Sequence, residues 1–248
     1  MGTVFLVGAG PGAVDLLTLR AARLLARADI VFHDALVEPA VLDLTVRAEK
    51  VAVGKRCGAH STSQRFINKR LIDAARRFDC VVRLKGGDPM LFGRAQEEID
   101  ALTSAGVEVQ VVPGVTAALA AAAECNLSLT RRGVARSVTF VTPRVGDDQT
   151  AHGWAEGAAR ADTAVIYMGA GDAAAVASAL MARGTSPRTP IVLVENASRA
   201  NARRSGATLA DLPRIAANRG DGPAVIIVGE IASKWVADAL ETRATGTG

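Results

Sequence analysis

Short runs of β-branched and apolar residues alternate with segments whose apolar positions recur at helical spacing, and the alternation continues along all 248 residues. The pattern predicts strands at Thr3 to Gly8, Asp29 to Phe32, Lys50 to Val53, Cys80 to Leu84 and Glu108 to Val112. Between them it predicts helices over 16–28, over Ser63 to Arg77 with Phe66, Ile67, Leu71 and Ile72 as the apolar face, and over Gly93 to Ser104. Pro113 and Gly114 interrupt the series and mark the expected boundary between a domain at 1–113 and a second at 114–248. The second part opens with an alanine-rich helix over Thr116 to Cys125. Strands follow at Ser137 to Thr142, Thr163 to Met168, Ile191 to Glu195 and Ala224 to Val228. Helices are expected at Asp172 to Arg183, Leu209 to Asn218 and Ser233 to Glu241, and the polar stretch Gly146 to Gly157 reads as a mobile loop. Strands alternating with helices in both halves give an α/β protein of two lobes with a cleft between them.

Composition narrows the class. With 49% hydrophobic residues the chain has ample material for a folded core. Three cysteines (Cys57, Cys80, Cys125), odd in number and without metal-like spacing, fit a reducing cytoplasm better than a disulfide framework, and no metal site is expected. The opening MGTVFLVGAG has no basic leader, and no apolar run is long enough for a bilayer, so a soluble cytoplasmic protein with no membrane partner is expected. A net charge of +4 carried mainly by arginine favours an anionic partner. The basic residues are scattered and only 4% of residues are aromatic, which argues against nucleic acid and for a small polyanion, or for a solvated surface with no partner.

Three stretches carry candidate chemistry. The strand at Cys80 runs into Lys85, Gly86, Gly87, Asp88 and Pro89, where two glycines allow a ligand close to the backbone; the plain alternative is a Gly-Gly turn. The first strand runs into Gly8, Ala9, Gly10, Pro11 and Gly12, with Asp34 about 20 residues on, as in a dinucleotide fingerprint and so an NAD-dependent oxidoreductase. Against that reading, Pro11 has no N–H to offer a pyrophosphate, and Ala13 stands where the third glycine belongs. The third stretch is Gly54 to Ser61, with Lys55, Arg56, Cys57 and His60. Cys57 has no His or Asn partner at a readable spacing, which argues against a nucleophile.

Taken in order, VGAGPG with DLLTLRAARLL, HDALV, VGKRCGAHSTSQRFIN, VVRLKGGDPMLFGR, PGVTAA, YMG, VEN and PAVIIVGEI resemble the tetrapyrrole methylases, and within them the branch that methylates uroporphyrinogen III. The resemblance covers nearly the whole chain. It implies two α/β domains of the tetrapyrrole methylase type, the active site in the cleft between them, and a homodimer. The cofactor implied is S-adenosyl-L-methionine, leaving as S-adenosyl-L-homocysteine, and the substrate is a small polyanionic tetrapyrrole. Transfer by position implies cofactor contacts at Pro11, Gly86, Gly87, Asp88, Leu91, Thr116, Ala117, Met168, Ala197 and Ala224. It implies Asp34 and Lys55 as the proton-handling pair; for Asp34 a ribose-binding acid and a strand-end cap remain alternatives. Arg56, Arg131 and Arg144 are the substrate-binding candidates.

The chain departs from the family pattern at Ser128 to Arg132, where PLTHR is usual, and at Thr142, Pro143 and Arg144, where the strand usually ends in TGH. These changes leave the cofactor reading intact and open a second reading, a methylase of the same fold with a related acceptor. A non-catalytic anion-binding protein is a further alternative that the basic composition allows.

Overall fold

The computed structural model describes residues 1–54, 64–144 and 153–245. The first five strands are β1 (Thr3–Gly8), β2 (Ile30–His33), β3 (Glu49–Ala52), β4 (Cys80–Lys85) and β5 (Val109–Val112). They form one sheet in the order β3-β2-β4-β1-β5, every pairing parallel. A parallel sheet is covered on both faces, which is why β1 and β4 read as near-continuous apolar runs. Alternate residues serve opposite faces. Val4, Leu6, Ile30, Phe32 and Val81 pack with Ile67 and Leu71 of α3 (Gln64–Ala75) and Leu102 of α4 (Ala95–Ser104). Phe5, Val7, Val31, Val82 and Leu84 pack with Leu24 and Leu25 of α1 (Leu19–Arg27) and Val41 of α2 (Pro39–Leu42). The same alternation puts Arg83 and Lys85 on the α3 and α4 side. Thr18 starts α1, its hydroxyl accepting from the Ala21 N–H at 3.1 Å, as an N-cap residue does.

The strand order creates a topological switch point. From β1 the chain leaves through α1 to β2, on the far side of β4; from β4 it leaves through α4 to β5, on the far side of β1. The two connections part in opposite directions onto opposite faces. Open α/β sheets bind ligands beyond the C-terminal ends of such diverging strands. Here those ends carry the Gly8–Gly12 and Lys85–Pro89 stretches.

The chain divides into two units, Met1–Ala117 and Ala118–Gly248. The helix α5 (Ala117–Glu124) begins at the last residue of the first unit and lies otherwise in the second, whose sheet has the order β6-β7-β10-β8-β9. Its strands are β6 (Val138–Val141), β7 (Thr163–Tyr167), β8 (Pro190–Glu195), β9 (Arg203–Thr208) and β10 (Ala224–Val228). Only β6 and β7 pair in parallel; β10 runs antiparallel to both β7 and β8, and β9 antiparallel to β8. One face is packed by α6 (Trp154–Arg160), α7 (Ala173–Met181) and α8 (Leu212–Ala217) around Ile166, Leu193 and Ile226. The chain closes with α9 (Ser233–Thr245), whose Trp235 lies against Gly206 of β9; a Cβ there would stand 2.7 Å from the indole ring.

Two features correct the sequence pattern. The strand β9 is absent from the predicted elements because its residues, RRSGAT, are polar or small; as an edge strand it draws on ladder hydrogen bonds to β8. The expected loop over Gly146 to Gly157 ends early: Trp154 begins α6, whose Ala155 and Ala158 are buried in the core. Two alanines three apart give too small an apolar stripe to read. Elsewhere the ends shift. The helix expected from Leu209 starts as a 3₁₀ turn at Leu209–Asp211 before α8, which carries Pro213 in its first turn.

Leu71 is fully buried between α3 and the sheet. Leu71→Ala is expected to lower unfolding stability by about 2–5 kcal/mol, measured by urea titration. Asp162 ties the start of β6 to the loop before β7, accepting from Arg136 N–H, Ser137 N–H and the Ser137 hydroxyl, which together hold its pKa below the ordinary carboxylate value. A depressed folded-state pKa stabilises above the unfolded value and is lost as pH falls through the folded one. The stability gap between the native protein and Asp162→Asn should therefore be present at neutral pH and close below about pH 4.

Candidate active site

Three loops meet at the C-terminal ends of β1, β4 and β5, and what lets them meet is the lack of side chains. Gly10 and Gly87 exchange both backbone hydrogen bonds, at 3.2 and 2.7 Å. Gly10 and Gly87 have φ of 71° and 67°, in the left-handed region that glycine adopts freely. A Cβ on Gly114 would stand 2.3 Å from the Gly87 carbonyl oxygen, and one on Gly8 would stand 2.6 Å from Gly114. Asp88 then spans two of the loops. Its Oδ1 accepts from the Met90 N–H at 2.8 Å and its Oδ2 from the Gly114 N–H at 2.9 Å. The side chain expected to contact a cofactor thus also holds protein backbone, one bond to each oxygen. The Gly87 Cα faces Thr116 and Ala117, where a Cβ would find its nearest atoms at 3.9 and 4.0 Å. Leu91 closes the following turn, donating its N–H to the Asp88 carbonyl at 3.3 Å, and Pro11 sits half-buried in the β1 turn.

Asp34 ends β2 at the same end of the sheet. Its carboxylate accepts from Arg83 Nη2 at 2.5 Å, and its N–H donates to the Leu84 carbonyl at 3.3 Å. Arg83 also donates through Nε to Glu98 at 3.0 Å, and Lys85 Nζ lies 3.2 Å from both oxygens of Glu98. The side chains of Arg83, Lys85 and Glu98 are 3%, 5% and 0% exposed, whereas that of Asp34 is 28% exposed. Two cations and two anions make the cluster neutral overall. Burial works against the Arg83 charge, but the carboxylates of Asp34 and Glu98 outweigh it and hold its pKa above the ordinary value. For Lys85, burial and then the Arg83 charge push the ammonium below its ordinary value, and Glu98 offsets this only in part. Gly54 packs against Asp34 and Ala35, a Cβ there standing 2.7 Å from Ala35 N. Lys55, Arg56, Cys57 and His60 lie outside the described residues.

In the second unit Met168 follows β7 and Ala197 follows β8, while Ala224 begins β10, which lies between those strands and runs the other way. The three therefore share one end of the sheet. Backbone strain marks the same places: Met168 and Asn196 have φ of 55° and 49°, as Phe92 and Arg94 of the first unit have 53° and 54°. Non-glycine residues in this region cluster at ligand sites. Met168 is 47% exposed, so the core role usual for methionine does not apply. Tyr167 accepts from the Ala118 N–H of α5 at 2.9 Å. Arg144 follows β6 at the Met168 end, but Arg131 precedes β6 at the opposite end, in a turn that it closes with two backbone hydrogen bonds to Ala135. The two arginines grouped by the sequence are thus separated by the length of β6.

Residues 3–213 match the family model of the tetrapyrrole (corrin/porphyrin) methylases. The chain belongs to that family. A siroheme synthase from Pseudomonas fluorescens (strain Pf0-1) is 47% identical over 232 residues, 93% of this chain and 50% of that protein. The chain thus spans about half the length of the curated relatives it matches. The solved uroporphyrin-III C-methyl transferase from Thermus thermophilus in complex with S-adenyl homocysteine is 41% identical, with a TM-score of 0.83, covering 94% of this chain and 99% of that one. Its native form is 40% identical with a TM-score of 0.81, covering 93% of each.

In this tetrapyrrole methylase, sequence reading passed over Arg83, Glu98 and Gly114. The available signal was an arginine and a lysine alternating with Val82 and Leu84 in a strand otherwise apolar on both faces, which demands a buried counter-charge. Asp88→Asn leaves one oxygen for two backbone donors. It is expected to lower stability by about 1–3 kcal/mol in chemical unfolding.

Proposed function

We propose that this methylase transfers methyl groups from S-adenosyl-L-methionine to two pyrrole carbons of uroporphyrinogen III, giving precorrin-2 through a monomethylated intermediate. The observation that carries this reading is the near full-length likeness to the Thermus enzyme. A glycine at position 87 leaves the loop edge that faces Thr116 and Ala117 without a side chain, which supports giving that edge to the cofactor. Pro11, Gly86, Gly87, Asp88, Leu91, Thr116 and Ala117 of the first unit, with Met168, Ala197 and Ala224 of the second, are assigned to holding the cofactor. When bound, S-adenosylmethionine supplies a methyl group on a sulfonium, an electrophile that needs no metal.

The chain's own share is to orient and to take a proton. Holding the pyrrole carbon in line with the methyl group is a positioning effect worth up to about 7–11 kcal/mol. A pyrrole that has gained a methyl carries positive charge and must lose a proton to a nearby base. The Asp34 carboxylate, partly exposed at the end of β2, is assigned as that acceptor, with Lys55 as its partner in proton handling. Arg56 and Arg144 are assigned to the substrate carboxylates; Arg131, at the far end of β6, is assigned to none. A homodimer in the cytoplasm completes the reading, supported by the habit of the family and the odd count of cysteines.

A second reading keeps the fold and cofactor and changes the acceptor. It is favoured by Pro143 and Arg144, which stand at the Met168 end of β6 in place of the family's glycine and histidine. Competition between uroporphyrinogen III and related tetrapyrroles, read by mass spectrometry, separates the two.

Purified protein given uroporphyrinogen III and S-adenosylmethionine is expected to yield a dimethylated product with two S-adenosylhomocysteines per tetrapyrrole; absence of any methylated tetrapyrrole would sink the proposal. Asp34→Asn should lower kcat by about 100-fold or more while S-adenosylhomocysteine still binds.

A further inference from the structure

The buried ions around Arg83 call for an explanation other than stability. Replacing a buried ion cluster by apolar residues of similar volume is often neutral or stabilising, so such a cluster is a poor means of holding a fold together. What it does provide is direction. The guanidinium of Arg83 is a rigid planar fork, and each of its nitrogens is engaged: Nε by Glu98 at 3.0 Å, Nη1 by the Leu84 carbonyl at 3.3 Å, Nη2 by Asp34. Arg83 reaches Asp34 from the buried side, and of the pair only Asp34 has appreciable access to solvent.

The Leu84 carbonyl is shared. It accepts from Arg83 Nη1 and also from the Asp34 N–H, so the main chain and the carboxylate of Asp34 are both referenced to the same residue pair of β4. Glu98 fixes the other end of the fork. Its own place on α4 is held by Lys85 and by Gln64 Nε2, which donates to Oε1 at 3.1 Å. A carboxylate at a strand end would otherwise turn freely about its side-chain bonds.

We propose that Arg83 is the positioning residue for Asp34, locking the carboxylate in one orientation, and that Glu98 holds Arg83 in place to do so. The inference rests on Asp34 as the proton acceptor. A lysine at position 83 keeps the charge but loses the fork, so it can serve one carboxylate and not both.

The test compares native protein, Arg83→Lys, Asp34→Asn and the double variant in two cycles, one on kcat and one on the unfolding midpoint. Arg83→Lys should lower kcat about 10- to 100-fold, the scale of a misplaced catalytic group, with KM for S-adenosylmethionine and the Kd of S-adenosylhomocysteine within about threefold of native. The double variant should be no slower than Asp34→Asn, and the midpoint shifts should be non-additive, because the same contact is lost in each case. Glu98→Gln, which retains shape, should reproduce the kcat loss in weaker form. Native kcat in Arg83→Lys, or losses that multiply in full in the double variant, would overturn the proposal. If Asp34→Asn alone retains native kcat, the base assigned to Asp34 fails. The midpoint cycle then reads the anchor separately, and additive shifts there would overturn it too.

Discussion

The approach of three backbones without side chains, at Gly8, Gly87 and Gly114, is the constraint on which the first unit's functional end depends. Parallel strands diverge beyond their C-terminal ends, and loops there normally spread apart. Here β1, β4 and β5 deliver a glycine each to one place, and the carbonyl of Gly87 lies where a Cβ on either neighbour would be. The Gly10–Gly87 bridge and the two hydrogen bonds of Asp88 convert that contact into a fixed surface. Van der Waals exclusion is steep, so a carbon added at Gly8 or Gly114 moves backbone and not merely a side chain. The loops are therefore tied to one another by protein contacts alone, and loops so ordered lower the ordering cost of binding.

Beneath that surface the protein keeps charge where most folds keep hydrocarbon. Arg83, Lys85 and Glu98 lie in the layer between the sheet and α4, beside Leu102 and Ala95 of the same helix. An isolated ion in such a place would carry a desolvation penalty of several kcal/mol, and only the mutual pairing makes the arrangement tolerable. Asp34 is the one member at the boundary with solvent, so the network runs from the buried layer to the surface at the end of β2. Loops tied by backbone contacts on one side and a carboxylate held by Arg83 on the other are both built from a single sheet.

The second unit reaches a similar end by other means. Its strands are mostly antiparallel, and close backbone approach is replaced by left-handed non-glycine residues at Met168 and Asn196. Tyr167 anchors the start of α5 through its hydroxyl, and Phe140 packs edge-on to the Tyr167 ring at 6.3 Å. Glu195, buried at the end of β8, accepts from the Gly220 N–H and so ties the loop before β10 to the Ala197 end of the sheet.

Much of this was legible in the residues themselves. Periodicity located the core strands, because a strand buried on both faces must be apolar along its length, and the order of the motifs named the family. Glycine pairs marked the loops of the first unit, since only a required close approach justifies losing the side chain. The polar strand β9 and the alanine helix α6 were not legible, since edge pairing and small-residue packing leave no periodic apolar signal. Nor could spacing show that Arg131 and Arg144 stand at opposite ends of β6, or that Asp88 spends its carboxylate on backbone. The partnership of Asp34, Arg83 and Glu98 joins residues 49 and 15 positions apart in the chain. Sequence determined which residues were charged and which strands were buried; only the pairing of β2 with β4 and the packing of α4 decided that those charges meet, because direction and distance between elements belong to tertiary structure alone.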